Sequence, residues 1–226
     1  ATLKFEGHIT VQLQGDGPVS LAVINGNHHQ QMRGVARWQG TVPDSERLAD
    51  LVGTGYIAIT ITPENGERYQ GIVELNENSL AACLQHYFEQ SEQLATRIWL
   101  FTGLQGDHQA AAGMLLQSLP SEAEGQQQDF EHLEALTGTV KAEELLQLDA
   151  QEVLYRLYHQ EAVRVFDPQP VSFQCTCSKE KCEQALLQVG QQEAMELIEE
   201  KGKIEMHCDY CGHHYQFDGS DVQTLF

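Results

Sequence analysis

Cations are scarce in this sequence. Its 226 residues carry 13 Lys and Arg against 33 Asp and Glu, a formal charge of −20. A surface of that sign repels phosphate backbones, which argues against a nucleic-acid binder. Long apolar runs are missing as well. No stretch is long enough to span a bilayer and there is no apolar leader, so the cytoplasm, where thiols stay reduced, is the expected compartment and no membrane contact is expected. The catalytic signatures are absent too: no nucleophile elbow, no HExxH and no Walker loop. Gly15-x-Gly17 lacks the lysine and helix that a phosphate loop needs. Cysteine is nearly absent before residue 173, where Cys83 stands alone, and five of the six cysteines lie in Phe173–Phe226.

Those late cysteines come in short-spaced pairs. Cys175 and Cys177 form C-x-C; Cys208 and Cys211 form C-x-x-C, followed by Gly212. Four thiolates satisfy tetrahedral zinc, so two such pairs brought together predict one closed site holding one zinc ion. Two structural disulfides are the plainer alternative, and a reduced compartment disfavours them. His207, His213 and His214 flank the second pair as alternative ligands. Cys83 falls on the apolar stripe of a predicted helix and reads as a core thiol, with an auxiliary redox role as its alternative. Cys182 has no matching partner; it reads as a spare thiol, with thiol exchange as its alternative.

The fold class expected is α+β: a hairpin-rich sheet domain with a packed helix over 1–120, a helical linker over 121–172 and a small zinc module over 173–226. Residues 2–24 alternate with the two-residue period of half-buried strands, through Leu3, Phe5, Ile9, Val11, Leu13, Leu21 and Val23, with turns at Gly15-Asp16-Gly17 and Asn25-Gly26-Asn27. His28-His29 reads as a solvated turn. Tyr56–Thr62 and Tyr69–Leu75 form a hairpin. Ser79 caps a helix to about Ser91, and Arg97–Phe101 with Ala112–Leu119 complete the sheet before Pro120.

Beyond Ser121 the chain turns acidic, then helical through Phe130, Leu133 and Leu136. Further helices are predicted over Ala142–Leu148 and after the Asp149 cap, with Val153, Leu154, Leu157 and Tyr158 on one side. Short amphipathic helices need a surface to dock against, so this segment reads either as an ordinary helical subdomain or as a conditionally folded linker ending at Asp167-Pro168-Gln169-Pro170. In the tail, Ser178 caps one helix, Gly202 ends a second, and Lys203–His207 with His214–Phe217 bracket the knuckle as a hairpin.

A module of about fifty residues has little core, so the metal must dominate its stability. Thiolates are also what oxidants attack, and each has a close partner to trap a sulfenic acid. Oxidation is therefore expected to expel the metal, melt the module and bare apolar helix faces to unfolded proteins. Two rivals remain: a zinc-ribbon nucleic-acid binder, which would need cations where Glu205 and Asp209 stand, and a thiol-disulfide oxidoreductase, whose C-x-x-C would open a helix.

Several motifs together resemble the heat-shock protein 33 family, the redox-regulated holdase chaperones. They are Tyr69-x-Gly71-x-Val73, the run from Tyr87 to Gln93, Val163-Arg164-Val165-Phe166-Asp167-Pro168-Gln169-Pro170, Cys175-Thr176-Cys177-Ser178 and Cys208-Asp209-Tyr210-Cys211-Gly212. The resemblance implies an ATP-independent, non-enzymatic chaperone that holds unfolding client proteins, inactive while reduced and zinc-bound. It implies zinc ligands at Cys175, Cys177, Cys208 and Cys211, oxidation pairing Cys175 with Cys177 and Cys208 with Cys211, a linker that unfolds on activation, and a homodimer when oxidised. Family members also carry an N-terminal segment ahead of the position matching Ala1, and its absence predicts an exposed sheet edge.

Overall fold

A computed structural model describes residues 6–120 and 125–226. The predicted strand over residues 2–5 and the predicted boundary at Ser121 lie outside the described residues. Strands β1 (Gly7–Gly15), β2 (Val19–Asn27) and β3 (Gln31–Trp38) meander antiparallel, and a short helix α1 (Leu48–Val52) leads into β4 (Gly55–Pro63) and β5 (Tyr69–Glu74). The sheet order is β5-β4-β1-β2-β3, with a sixth strand, β8 (Ser172–Phe173), added parallel to β3. The Asn25-Gly26-Asn27 turn is corrected: β2 runs through those residues, and the reversal falls at Asn27–Gln30, where Gln30 takes φ of 59°. His28 is only half-buried and accepts from the Gly7 amide at 3.0 Å, so it ties down the start of β1 rather than being merely solvated.

The period of two decides what is buried. Leu13, Ile57, Ile59 and Val73 share one face and pack with Leu48 and Val52 of α1 and with Cys83 and Tyr87 of helix α2 (Leu80–Tyr87). Ser79 caps α2 as predicted, accepting from the Ala82 amide at 3.2 Å. A π-helical turn (Phe88–Glu92) extends it. Gly71 lets the tyrosine in: a Cβ there would stand 2.5 Å from Tyr87 Cε2.

Residues 96–117 correct a second expectation. Strands β6 (Thr96–Gln105) and β7 (His108–Gln117) do not complete the sheet; they form a two-stranded sheet of their own, set against α2. Its face bearing Trp99, Phe101 and Met114 receives the next three helices, α3 (Gln126–Thr137), α4 (Ala142–Gln147) and α5 (Ala150–Tyr158). Val140, Val153, Leu157 and Tyr158 are the buried centre of that contact. The approach is close enough that a Cβ on Gly103 would lie 2.8 Å from Leu146 Cδ1. Asp149 caps α5 by accepting from the Glu152 amide at 3.0 Å.

After α5 the chain runs without regular structure to β8 and enters the tail. There α6 (Lys179–Val189), α7 (Gln191–Lys201), the hairpin β9 (Ile204–His207) and β10 (His214–Phe217), and a C-terminal α8 (Gly219–Leu225) enclose a small core of Leu186, Ala194, Ile204, Phe217 and Val222. Ser178 accepts from the Lys181 amide at the start of α6, and Gly202, at φ of 76°, closes α7. Helix α8 escaped sequence analysis; Asp218 caps it by accepting from the Ser220 and Asp221 amides.

Candidate metal centre

Two local devices bring the four predicted cysteines together. The β9–β10 hairpin presents Cys208 and Cys211 on a tight knuckle, closed by Gly212 donating to the Cys208 carbonyl at 2.8 Å and by Cys208 donating to the His213 carbonyl at 2.9 Å. Gly212 takes φ of 71°, a left-handed conformation that glycine adopts without strain. Cys175 and Cys177 arrive on the irregular segment that follows β8, just before the Ser178 cap fixes where α6 begins.

The sulfurs of Cys175, Cys177, Cys208 and Cys211 all lie within 4.8 Å of one another. Cys175 and Cys208 approach to 3.4 Å and Cys177 and Cys211 to 3.5 Å. Four thiolates each about 2.3 Å from one ion would stand about 3.8 Å apart, so this donor set fits a tetrahedral thiolate-loving metal. All six cysteines are free thiols. No other group of three or more His, Cys, Asp or Glu with this proximity occurs among the described residues.

The electrostatics are those of sulfurs crowded for a cation. The Cys175 thiol is lowered to about 6, first by the Cys177 backbone amide and then, against burial, by the neighbouring thiols. Cys211 is pushed up to about 12: the His213 backbone amide, the largest influence, lowers it, but burial and the other three sulfurs outweigh it. Four thiols so close cannot all ionise without a positive charge among them. Tyr215 donates its O–H to Cys177 Sγ at 3.2 Å, and that bond is the first reason its own pKa is raised.

The remaining thiols and imidazoles stay outside. Cys83 is fully buried in the sheet core, where burial raises its pKa. Cys182 packs beside the tail core; burial and the charges of Cys177 and Cys208 raise it. His207 and His214 stack with ring centres 4.4 Å apart, His214 reaches Glu205 at 3.3 Å, and His213 sits against Tyr215.

What surrounds the sulfurs was not legible from cysteine spacing: Tyr215, and three side chains of the large sheet, Asn25, Arg33 and Arg37. Two arginines four positions apart were a readable signal in so acidic a chain. Their hydrogen-bond partners, 143 and 172 residues away, were not.

A protein-family model described as Hsp33 protein matches residues 1–218. The 33 kDa chaperonin of Aeromonas salmonicida is 62% identical over 226 residues, all of this chain and 77% of its own length. That of Escherichia coli O7:K1 is 59% identical over 225 residues, again covering 77% of the longer relative. In three dimensions the 33 kDa chaperonin of Thermotoga maritima superposes with a TM-score of 0.85 at 23% identity, over 99% of this chain and 78% of that one. No helix among the described residues is long and apolar enough to cross a membrane. The α+β architecture and the four-cysteine cluster coincide with a family match over nearly the whole chain, and the chain belongs to the Hsp33 family of chaperones.

Proposed function

We propose that the chain is a redox-regulated, ATP-independent holdase whose cysteine centre is its switch. The single observation that carries this is the convergence of four sulfurs within 4.8 Å, close enough for one metal ion and for disulfide exchange. Cys175, Cys177, Cys208 and Cys211 hold one zinc as thiolates, and zinc supplies the charge that lets all four ionise together. The compartment is the cytoplasm. The working units are the sheet domain over 1–120, the linker over 121–172 and the zinc module over 173–226.

Activation is an oxidation. A peroxide takes two electrons from a thiolate, giving a sulfenic acid; the paired thiolate attacks that sulfur, forming the S–S bond and expelling water. Two peroxides and four protons thus convert four thiolates into two disulfides and four waters, and the metal departs as the free cation. The pairing we propose is within each half-site, Cys175 with Cys177 and Cys208 with Cys211. The sulfur contacts at 3.4 and 3.5 Å run across the half-sites, so pairing within each half-site requires the sulfurs to turn away from those contacts.

Without its metal the module has five buried core residues to hold it, too few to offset the ordering of more than fifty residues. Its unfolding frees the C-terminal end of the 121–172 segment; α3–α5, which pack on Trp99, Phe101 and Met114, then lift from that surface, and the apolar faces so bared bind unfolding clients. The oxidised form is a homodimer.

The test runs zinc content, thiol count and client protection side by side. Reduced protein should hold one zinc, resist thiol labelling and leave an aggregating client unprotected. Peroxide-treated protein should hold none, map to the two proposed disulfides and suppress light scattering without nucleotide. Equal protection in both states would remove the switch, and crosswise disulfides would remove the proposed pairing.

A further inference from the structure

Strand β3 touches the spacers of both cysteine half-sites. Arg33 donates from Nη1 to Thr176 Oγ1 at 2.7 Å, and its guanidinium lies 4.4 Å from the centre of the Tyr210 ring. Asn25, opposite Arg33 in the β2–β3 register, donates from Nδ2 to the Tyr210 hydroxyl at 3.0 Å. Four positions along β3, and so on the same face, Arg37 pairs with Asp209. Thr176 is the one residue between Cys175 and Cys177; Asp209 and Tyr210 are the two between Cys208 and Cys211.

The face is the one turned away from the core; Leu21, Val23 and Val35 share it with the polar side chains. Asn25 pairs with Thr10 in the β1–β2 register and bonds to its hydroxyl at 2.9 Å, while Ile9, Val11 and Leu13 point the other way, into the core. The cysteine knuckle therefore sits on the outside of the large sheet, away from α1 and α2. No apolar burial by that core explains its position there. What stands at the contact is two of the chain's 13 cations, on a protein with 33 acidic residues.

We propose that Asn25, Arg33 and Arg37 form a docking seat for the assembled cysteine centre, recognising the spacers of the two half-sites simultaneously and so holding the module to the sheet only while the half-sites are together. An exposed ion pair or cation–π contact contributes little by itself. Arg33 is different because one side chain serves two partners that come from opposite halves of the metal site. Thr176 and Tyr210 meet over it when Cys175 and Cys177 lie against Cys208 and Cys211, and separating the half-sites takes one partner away. With one partner tethered, the other is presented at high effective concentration; once the tether goes, so does that advantage. The same strand carries β8: Ser172 donates to the Gln30 carbonyl at 3.1 Å and Gln174 to the Met32 carbonyl at 3.0 Å. Loss of the seat leaves the short β8 ladder as the tie between β3 and the chain leading into the module.

The consequence, release on oxidation, rests on the redox reading above, but the seat is a property of the reduced, metal-loaded chain and is tested there. Hydrogen exchange would be followed in full-length reduced protein with zinc bound, wild type against Arg33→Gln/Arg37→Gln. The double variant should keep one zinc and four protected thiols while the Ser172 and Gln174 amides exchange at least tenfold faster, on the order of the loss of one to two weak polar contacts. Arg37→Asp combined with Asp209→Arg should exchange more slowly than either single reversal, because it restores the pair with its sign inverted. Unchanged exchange in the zinc-loaded double variant overturns the seat. So does loss of zinc in step with the faster exchange, since the arginines would then serve the metal site itself. A seat that survives these measurements in a chain that peroxide does not release would sink the redox reading alone.

Discussion

The Tyr215 hydroxyl donates to Cys177 Sγ at 3.2 Å, from a ring half-buried against the core of the cysteine module. A donor aimed at a ligand sulfur offsets part of its negative charge and fixes its lone pairs, and such outer partners commonly change metal affinity by about 10- to 100-fold. Tyr215→Phe keeps the ring and deletes the donor. It should lose zinc to a chelator about tenfold faster than wild type with unaltered helix content; equal rates would show that the contact does not tune the site.

Phe217 is fully buried where α6, α7 and α8 meet the β9–β10 hairpin. Truncating a buried phenylalanine costs about 3–5 kcal/mol, more than so small a core can spare without its metal. Because metal binding and folding are one equilibrium here, Phe217→Ala should appear as zinc affinity weakened on the order of a hundredfold or more. Competition with a chromophoric chelator checks it, and undiminished affinity would separate packing from metal binding.

Thr137 and Tyr158 join α3 to α5 by a buried hydrogen bond between hydroxyls. Thr137 Oγ1 gives its own proton to the Leu133 carbonyl at 2.6 Å, so Tyr158 is the donor to it. Thr137→Val leaves the tyrosine O–H buried without an acceptor, at a cost of about 1–3 kcal/mol. Helical circular dichroism of the reduced, zinc-bound protein should melt at lower temperature. An unshifted melt would mean the helix pair does not depend on this bond.

Gly71 on β5 faces the Tyr87 ring, where a Cβ would stand 2.5 Å from Cε2. Gly71→Ala must push α2 off the sheet or turn the tyrosine, and overpacking of that kind costs about 1–3 kcal/mol. Denaturant titration should show the loss in the sheet domain, with zinc content unchanged.

Much of the site was legible because its signals are local. The cysteine pairs, the Ser178 and Asp149 caps and the Gly202 stop depend on neighbours within a few positions, and the structure places each where spacing put it. Strand β3 was overlooked: with polar residues or glycine at Gln31, Arg33, Gly34 and Arg37, it lacks the apolar run that marked β1 and β4. The separate β6–β7 sheet was misassigned for a different reason. Period two predicts a strand but says nothing of which strands it joins, and the ladder partners of β6 all lie in β7. The contacts of Arg33 and Arg37 span the chain, so no window along the sequence contains both ends of them.

The parallel pairing of β8 with β3 joins segments about 140 positions apart in the chain. Closing so long a loop for a ladder of two residues gives little in return. The meander β1–β3, made of near neighbours, can therefore assemble well before the tail arrives. During synthesis the sheet would emerge from the ribosome and fold with β3 still unpaired on its outer side, and the cysteine module would dock later. Refolding should accordingly show two clocks: a fast one for the sheet, blind to zinc, and a slower one for tail docking whose rate follows the zinc supply.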